Sequence, residues 1–256
     1  MDAKVLMRDP NIREFLAILE ASGAGRLEFI SMMSHISAME RQLDEAAREL
    51  TAMRKEIAGL RTENDYPIRT ALIKAEGHLE HGVAEARARL DEIKVAVLEC
   101  VKKALSAIKE QGIGGLNKTM DFLGVRKKLA GIRDHVDKNI GAADRAIAKI
   151  ETVSAEYHET GRHLRNIGRA LTGKEILGEA KPMGNIAKAA RLPFKGARTA
   201  LSGVSKSAVA AIGKLDHLEK AARSSTLGAI RAHRSQKDAA PTGMALNRTK
   251  SKEASL

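Results

Sequence analysis

Residues 29–60 read FISMMSHISAMERQLDEAARELTAMRKEIAGL, and how their apolar members fall decides the fold. Taking the third and then the fourth residue in turn gives Phe29, Met32, Ile36, Met39, Leu43, Ala46, Leu50, Met53, Ile57 and Leu60, all apolar. That alternation is the heptad seam of a coiled coil, the spacing that keeps one edge of a helix turned toward a neighbour. Between the seam positions lie Glu40, Arg41, Asp44, Glu45, Arg48 and Glu49, the mixed charges of a solvated flank. The pattern predicts one long helix from about Leu27 to Glu63. It requires a neighbour and leaves open whether that neighbour belongs to the same chain or to another.

Working outward toward the N-terminus, Asp9-Pro10 is a helix start, with Asp as the cap and Pro in the first turn. Ile12, Phe15, Leu16 and Leu19 then follow at helical spacing, and Ser22-Gly23-Ala24-Gly25 ends this short element. Toward the C-terminus, Asn64-Asp65-Tyr66-Pro67 breaks the seam helix, and a second long helix is expected from Ile68 to about Gln111. Its apolar edge runs from Leu72 through Val83 and Ile93 to Ile108, and Gly112-Ile113-Gly114-Gly115 closes it. A brief helix, Leu116 to Leu123, leads to a third long one, Val125 to Thr172. The edge of that third helix runs from Leu129 through Val136 and Ile150 to Tyr157, Leu164, Ile167 and Leu171. At 1.5 Å per residue these three rods span roughly 55, 65 and 70 Å, and short connections make them antiparallel neighbours.

After Gly173 the texture changes. Lys174 to Ala180 reads as a short helical piece, and Pro182 and Pro193 each restart the chain. A seam of smaller residues, including Phe194, Ala197, Leu201, Val204 and Leu215, returns beyond them, with Gly196, Gly203 and Gly213 lowering its intrinsic helicity. Past Arg234 the composition is that of a disordered basic tail. The expected division is a short N-terminal helix (1–25), a long-helix bundle (26–173), basic C-terminal helices packed on it (174–234) and the tail (235–256). The fold class is therefore all-α: an elongated antiparallel bundle or coiled coil of three long helices with smaller C-terminal helices.

Composition narrows the function classes. Six aromatic residues and no Trp serve 256 residues, while Ala, Leu, Lys, Arg and Glu dominate, as in long helices. The single cysteine, Cys100, excludes an intrachain disulfide and fits a reducing compartment; on the apolar edge of its helix it reads as a buried, inert thiol. The first residues, MDAKVLMRDP, do not read as a secretory signal, and the longest uncharged run, Phe29 to Met39, is too short to span a membrane. A soluble cytoplasmic protein is expected. The net charge of +12 is uneven, with −4 over residues 1–100 and +16 over residues 101–256.

Signals for catalysis are weak. Gly168 to Glu175, GRALTGKE, approaches the phosphate-binding loop G-x4-G-K-[ST], but Glu175 has no hydroxyl for Mg²⁺. The segment also closes a helix, whose C-terminal end repels phosphate, so Gly173 reads better as a C-cap. His78 with His81 and His158 with His163 are helix pairs lacking the third and fourth ligands that zinc requires. No G-x-S-x-G or H-E-x-x-H is present. An enzyme is not expected, nor is a cofactor, a metal or a small-molecule substrate.

The basic stripes are the stronger signals. Arg162, Arg165 and Arg169 share one helix face, and Lys188, Arg191, Lys195 and Arg198 repeat the spacing across Pro193, with Arg126-Lys127-Lys128 as a third cluster. These are candidate contacts to an anionic partner, and such a stripe can follow a phosphate backbone. Without interleaved aromatics, base stacking is poorly supported. With Phe194, Leu201 and Val204 opposite, the run from 182 to 222 could equally lie on an anionic membrane surface.

From Ile147 the chain reads IAKIETVSAEYHETGRHLRNIGRALTGKE, followed by AKPMGNIAKA from Ala180 and LPF from Leu192. This stretch, with NIREFLAILEASG from Asn11 as a looser match, resembles an uncharacterised family of helical proteins carried on bacterial conjugative and other mobile elements. The resemblance implies a bacterial cytoplasm and a mobile-element setting, and it brings no catalytic residues. The leading reading is a non-enzymatic coiled-coil interaction or scaffold protein with a protein partner or self-association. Alternatives are an accessory nucleic-acid-binding factor acting through the basic C-terminal helices, and a peripheral membrane binder acting through residues 182–222. The polar segment Glu156 to Arg169 is more particular than a heptad requires and is the first place to look for function.

Overall fold

The computed structural model describes residues 3–23, 25–59, 66–111, 122–178 and 185–238, with side chains except at 3–4, 66–68, 71, 185–190 and 224–238. The helices are α1 (Ala3–Leu6), α2 (Pro10–Ala21), α3 (Arg26–Gly59), α4 (Tyr66–Gln111), α5 (Leu123–Leu171) and α6 (Asn185–Asp238). No strand occurs among the described residues, and the all-α bundle expected from the heptads is what forms. Asp9 caps α2 as its sequence implies: its carboxylate accepts from the Asn11 backbone N–H at 2.8 Å, and Pro10 occupies the first turn.

The seam that dominates the sequence finds its neighbours within the chain. Phe29, Met32, Ile36, Met39, Leu43, Ala46, Leu50, Met53 and Ile57 are all buried; Leu60 lies outside the described residues. On one side α3 meets α4, where Lys94 Nζ donates to Glu40 Oε1 at 2.7 Å and Arg87 pairs with Asp44. On the other it meets α6, where Ser207 Oγ donates to Gln42 Oε1 at 3.2 Å. α4 in turn packs on α5, with Lys128 on Glu92 at 2.6 Å, and α5 packs on α6, with Arg191 on Glu151 and Arg198 on Asp144. Along each of these interfaces one residue number rises as the other falls. Four helices therefore form a ring, α3-α4-α5-α6, in which every neighbour is antiparallel, the up-down-up-down arrangement of a four-helix bundle. α1 and α2 close one end against α3 and α4, with Phe15 edge-on to Phe29 at 5.2 Å.

A polar device sits in the otherwise apolar α4–α5 seam. Asn139 falls at a heptad position, is 5 % exposed, and donates to the His135 carbonyl at 3.0 Å while lying against His135 Nε2 at the same distance. His135 Nε2 also lies 3.0 Å from the Gly82 carbonyl. Gly82 is where α4 passes over Asn139: a Cβ there would stand 2.1 Å from Asn139 Oδ1. A lone buried Asn in a seam fixes which layer meets which, and only glycine opposite leaves room for it.

The C-terminal third departs from the sequence reading. Instead of short helices restarted by prolines, α6 is one rod with Pro193 inside it, so the bundle has a fourth long helix. Pro193 is buried, Phe194 beside it is wholly buried, and Arg191 is anchored to Glu151, so packing on both sides overrides the loss of one backbone bond. Gly196 and Gly203, read as weak points, lie directly under Glu49 and Gln42, where a Cβ would approach to 2.4 and 2.6 Å. The expected helix over 174–180 is not found in its described part; residues 174–178 are irregular. Of the expected brief helix Leu116 to Leu123, residues 116–121 lie outside the described residues and Leu123 opens α5; residues 235–238 of the expected tail belong to α6, and residues 239–256 lie outside the described residues. Among the described residues no helix is long and apolar enough to cross a membrane.

Candidate functional site

α5 carries one unbroken heptad, with Leu129, Val136, Ala143, Ile150, Tyr157, Leu164 and Leu171 at successive seven-residue steps. The first four are buried, between 0 and 5 % exposed. Tyr157 is 54 % exposed, Leu164 66 %, Ile167 59 % and Leu171 83 %. The change follows from helix lengths. The Arg191–Glu151 and Arg198–Asp144 pairs set an antiparallel register that puts the start of α6 level with Tyr157. Likewise, the Lys128–Glu92 pair and the His135–Gly82 contact put the start of α4 level with about residue 153. Beyond that level α5 continues as an arm, Tyr157 to Leu171, about 20 Å long at 1.5 Å per residue. Its apolar strip continues the stripe that faces the bundle core and therefore looks out over the bundle end. Nothing among the described residues covers it.

The arm ends in a Schellman motif. Gly173 adopts φ +66°, its N–H donates to the Ala170 carbonyl at 3.2 Å, and the Lys174 N–H donates to the Arg169 carbonyl at 2.9 Å. The phosphate-loop resemblance of Gly168 to Glu175 is thus a helix stop, with carbonyls where a nucleotide would need N–H donors. From there residues 174–178 fold back along the arm as a strap. Asn166 holds it in the manner of a strand partner: its Oδ1 accepts the Leu177 N–H at 2.7 Å and its Nδ2 donates to the Leu177 carbonyl at 3.1 Å. Arg162 donates to the Gly178 carbonyl at 3.2 Å and Arg169 to the Glu175 carbonyl. Arg162 also pairs with Glu159, whose carboxyl is held below its ordinary range by that hydrogen bond, by the guanidinium charge and, less, by His163.

The cations proposed to meet an anionic partner are therefore largely engaged within the chain. Arg162 and Arg169 hold the strap, and Arg191 and Arg198 tie α6 to acids on α5. Arg126 reaches Asp216 and Glu219, the latter at 3.1 Å, and Lys128 reaches Glu92. Arg165 and Lys195 are exposed, and the Lys188 side chain lies outside the described residues. A repeat of basic residues at helical spacing is read equally well as a phosphate track or as one half of an interhelical ion-pair ladder. Only the positions of Asp144 and Glu151 on the facing helix separate the two.

The remaining candidates stay apart from the arm. His78 and His81 are exposed on α4, and His158 and His163 lie on the arm; no group of three or more metal-ligating side chains forms among the described residues. Cys100 is half-buried beside the core rather than fully inside it. A notch of about 180 Å³ between α3 and α4 is bridged by Arg54, which pairs with Glu76 at 2.7 Å and Glu80 at 2.6 Å. Sequence reasoning did not find the strap clamp. Its signal was Asn166, a polar residue between Arg162 and Arg169 on one face of the helix.

Compared with known proteins, a family description covers residues 8–253, nearly the entire chain. The chain belongs to DUF6674, a family of unknown function. The match takes in α2, the four long helices, the α5 arm and its strap, so the arm is part of the DUF6674 unit and no appendage to it. No curated protein matches the chain, and no solved structure does.

Proposed function

We propose that this DUF6674 protein is a non-enzymatic interaction or scaffold protein whose docking element is the α5 arm. One observation carries the reading: a single heptad is buried up to Ile150 and exposed from Tyr157 to Leu171, although its apolar content does not fall. Four large apolar side chains in seam positions on an exposed helix are what a helix-in-groove or coiled-coil contact uses. The Schellman stop and the three-residue clamp on the strap hold the arm in shape before any partner arrives, which lowers the ordering cost of binding. The resemblance, sharpest over residues 147–194, takes in this arm and supports a bacterial, mobile-element setting for the interaction.

The test is proximity chemistry in the cells that make the protein. A photo-crosslinking amino acid at position 164 should yield a covalent protein adduct on irradiation, and the same group at position 149, exposed on the bundle part of α5, should yield none. Absence of any adduct from position 164 would overturn the docking role. Nucleic-acid binding through the basic helices is the second reading, supported by the +16 charge of residues 101–256 and weakened by the in-chain pairing of Arg191 and Arg198. Duplex DNA affinity falling steeply between two salt concentrations would favour it.

A further inference from the structure

We infer that the occupant of the exposed strip is the same arm of a second copy of this chain, laid antiparallel. The inference rests on the reading of the arm as a docking element and names its partner. Direction comes first. Because the strip continues the core-facing stripe of α5, it faces across the end of the bundle. A parallel second copy would place its own bundle where this one already lies. An antiparallel copy sends its bundle the opposite way, and the overlap is confined to the two arms and the half-buried Val153 at their base.

The arm is also complementary to itself in that direction. Antiparallel coiled coils set first-seam residues against second-seam residues. Here the first seam is Tyr157, Leu164 and Leu171, and the second is Val153, Thr160 and Ile167. One register pairs Tyr157 with Ile167 of the second copy, Leu164 with Thr160, and Leu171 with Val153, and the two-fold axis repeats each layer. Thr160, the polar seam member, buries without a stranded donor because its hydroxyl already donates to the Glu156 carbonyl at 2.9 Å.

The rims of the strip agree with this register. On one side Gly161 meets Gly161 of the second copy, with Gly168 further along the same rim. A Cβ on either glycine would find nothing within 4 Å in the present chain, so two backbones can close there. On the other side Glu156 meets Ala170, and His163 meets its own copy, so no carboxylate confronts a carboxylate. Of the three arginines on the arm, Arg162 and Arg169 point away from the strip and hold the strap.

Sedimentation equilibrium of the full chain, with trapping of single cysteines, tests the inference. The wild-type chain is expected to pass from monomer to dimer mass with rising concentration. Leu164→Glu, at a side chain already 66 % exposed, should keep its helix content and weaken the dimer on the order of 100-fold. In a Cys100→Ala background, Tyr157→Cys and Ile167→Cys chains mixed and oxidised should form the mixed disulfide in preference to either symmetric one. A chain that stays monomeric at hundreds of micromolar, or symmetric 157–157 disulfides in excess, overturns the inference. If the wild-type chain is monomeric while the crosslinker at position 164 captures a protein of different mass, self-pairing falls and the docking arm stands. If position 164 captures nothing, both fall.

Discussion

The two halves of α5 differ in neighbours and scarcely in sequence. From Leu129 to Ile150 the heptad faces α4 and α6 and is sealed; from Tyr157 to Leu171 the same repeat, with residues at least as large, faces solvent. Heptad content states how much helix wants a neighbour. The lengths of the other helices state how much of that want is met at home. α4 and α6 both start near the level of residues 153 to 157, so the remaining four turns of α5 carry an unmet requirement, and an unmet requirement that large on an exposed helix is where interaction is to be sought.

The sharpest way to break that comparison is to truncate one side chain in each half. Ile132→Ala, at a wholly buried position, should lower unfolding free energy by about 2–5 kcal/mol, because the transfer loss and the cavity add. Leu164→Ala should change it by no more than about 0.5 kcal/mol in the monomer. Urea titrations at low protein concentration measure both. Equal losses would mean that the arm is covered in the isolated chain and that the exposed strip does not exist in solution.

Next in size is Gly82→Ala. Its Cβ would land 2.1 Å from Asn139 Oδ1, so either α4 lifts from α5 or Asn139 leaves its hydrogen bonds with His135. A loss of about 1–3 kcal/mol is expected, with the register of the buried half loosened and the arm untouched. Amide exchange around Asn139 and Gly82 should accelerate, while the Leu177 amide, held by Asn166, keeps its protection. Leu177 accelerating in step would show that the arm and the bundle open as one unit, contrary to the division drawn here.

How much of this could be read from the chain follows from the range of each signal. Periodicity placed α3, α4 and α5 to within a few residues, because Met32, Leu90 and Ile132 answer only to their own helix face. The Asp9-Pro10 start and the Gly173 stop were legible for the same local reason. Pro193 misled, since its preference to break a helix is local while the burial of Phe194 and the Arg191–Glu151 pair that override it come from α5. Seam residues Tyr157, Leu164, Ile167 and Leu171 were found in the sequence, yet nothing in them distinguishes a covered seam from a bare one. That depends on where α4 and α6 begin. The basic stripe failed likewise: Arg191 and Arg198 look free until Glu151 and Asp144 are set opposite them.

The smallest effect expected separates the two regions by acidity. His35 on α3 is held below the ordinary imidazole value, first by burial and then by the Lys214 charge across the α3–α6 interface. A histidine whose folded pKa lies under its unfolded one, near ~6.5, contributes fully above that value. Its contribution is lost as pH falls from there through the lowered folded value, since the unfolded chain then binds the proton more readily. Glu159 on the arm is depressed instead, first by its hydrogen bond with Arg162 and then by that residue's charge. Its contribution persists above the ordinary carboxylate range, near ~4.3, and disappears only as pH falls through the folded value beneath it. Acidification from pH 7.5 to 5.5 should therefore weaken the bundle and leave the arm and strap as they were. The urea midpoint of the wild-type chain should fall more steeply over that interval than that of His35→Gln, while Leu177 amide protection, corrected for intrinsic exchange, holds constant. Coincident slopes for the two chains would remove His35 from the account, and early loss of Leu177 protection would place the acid-sensitive group on the arm.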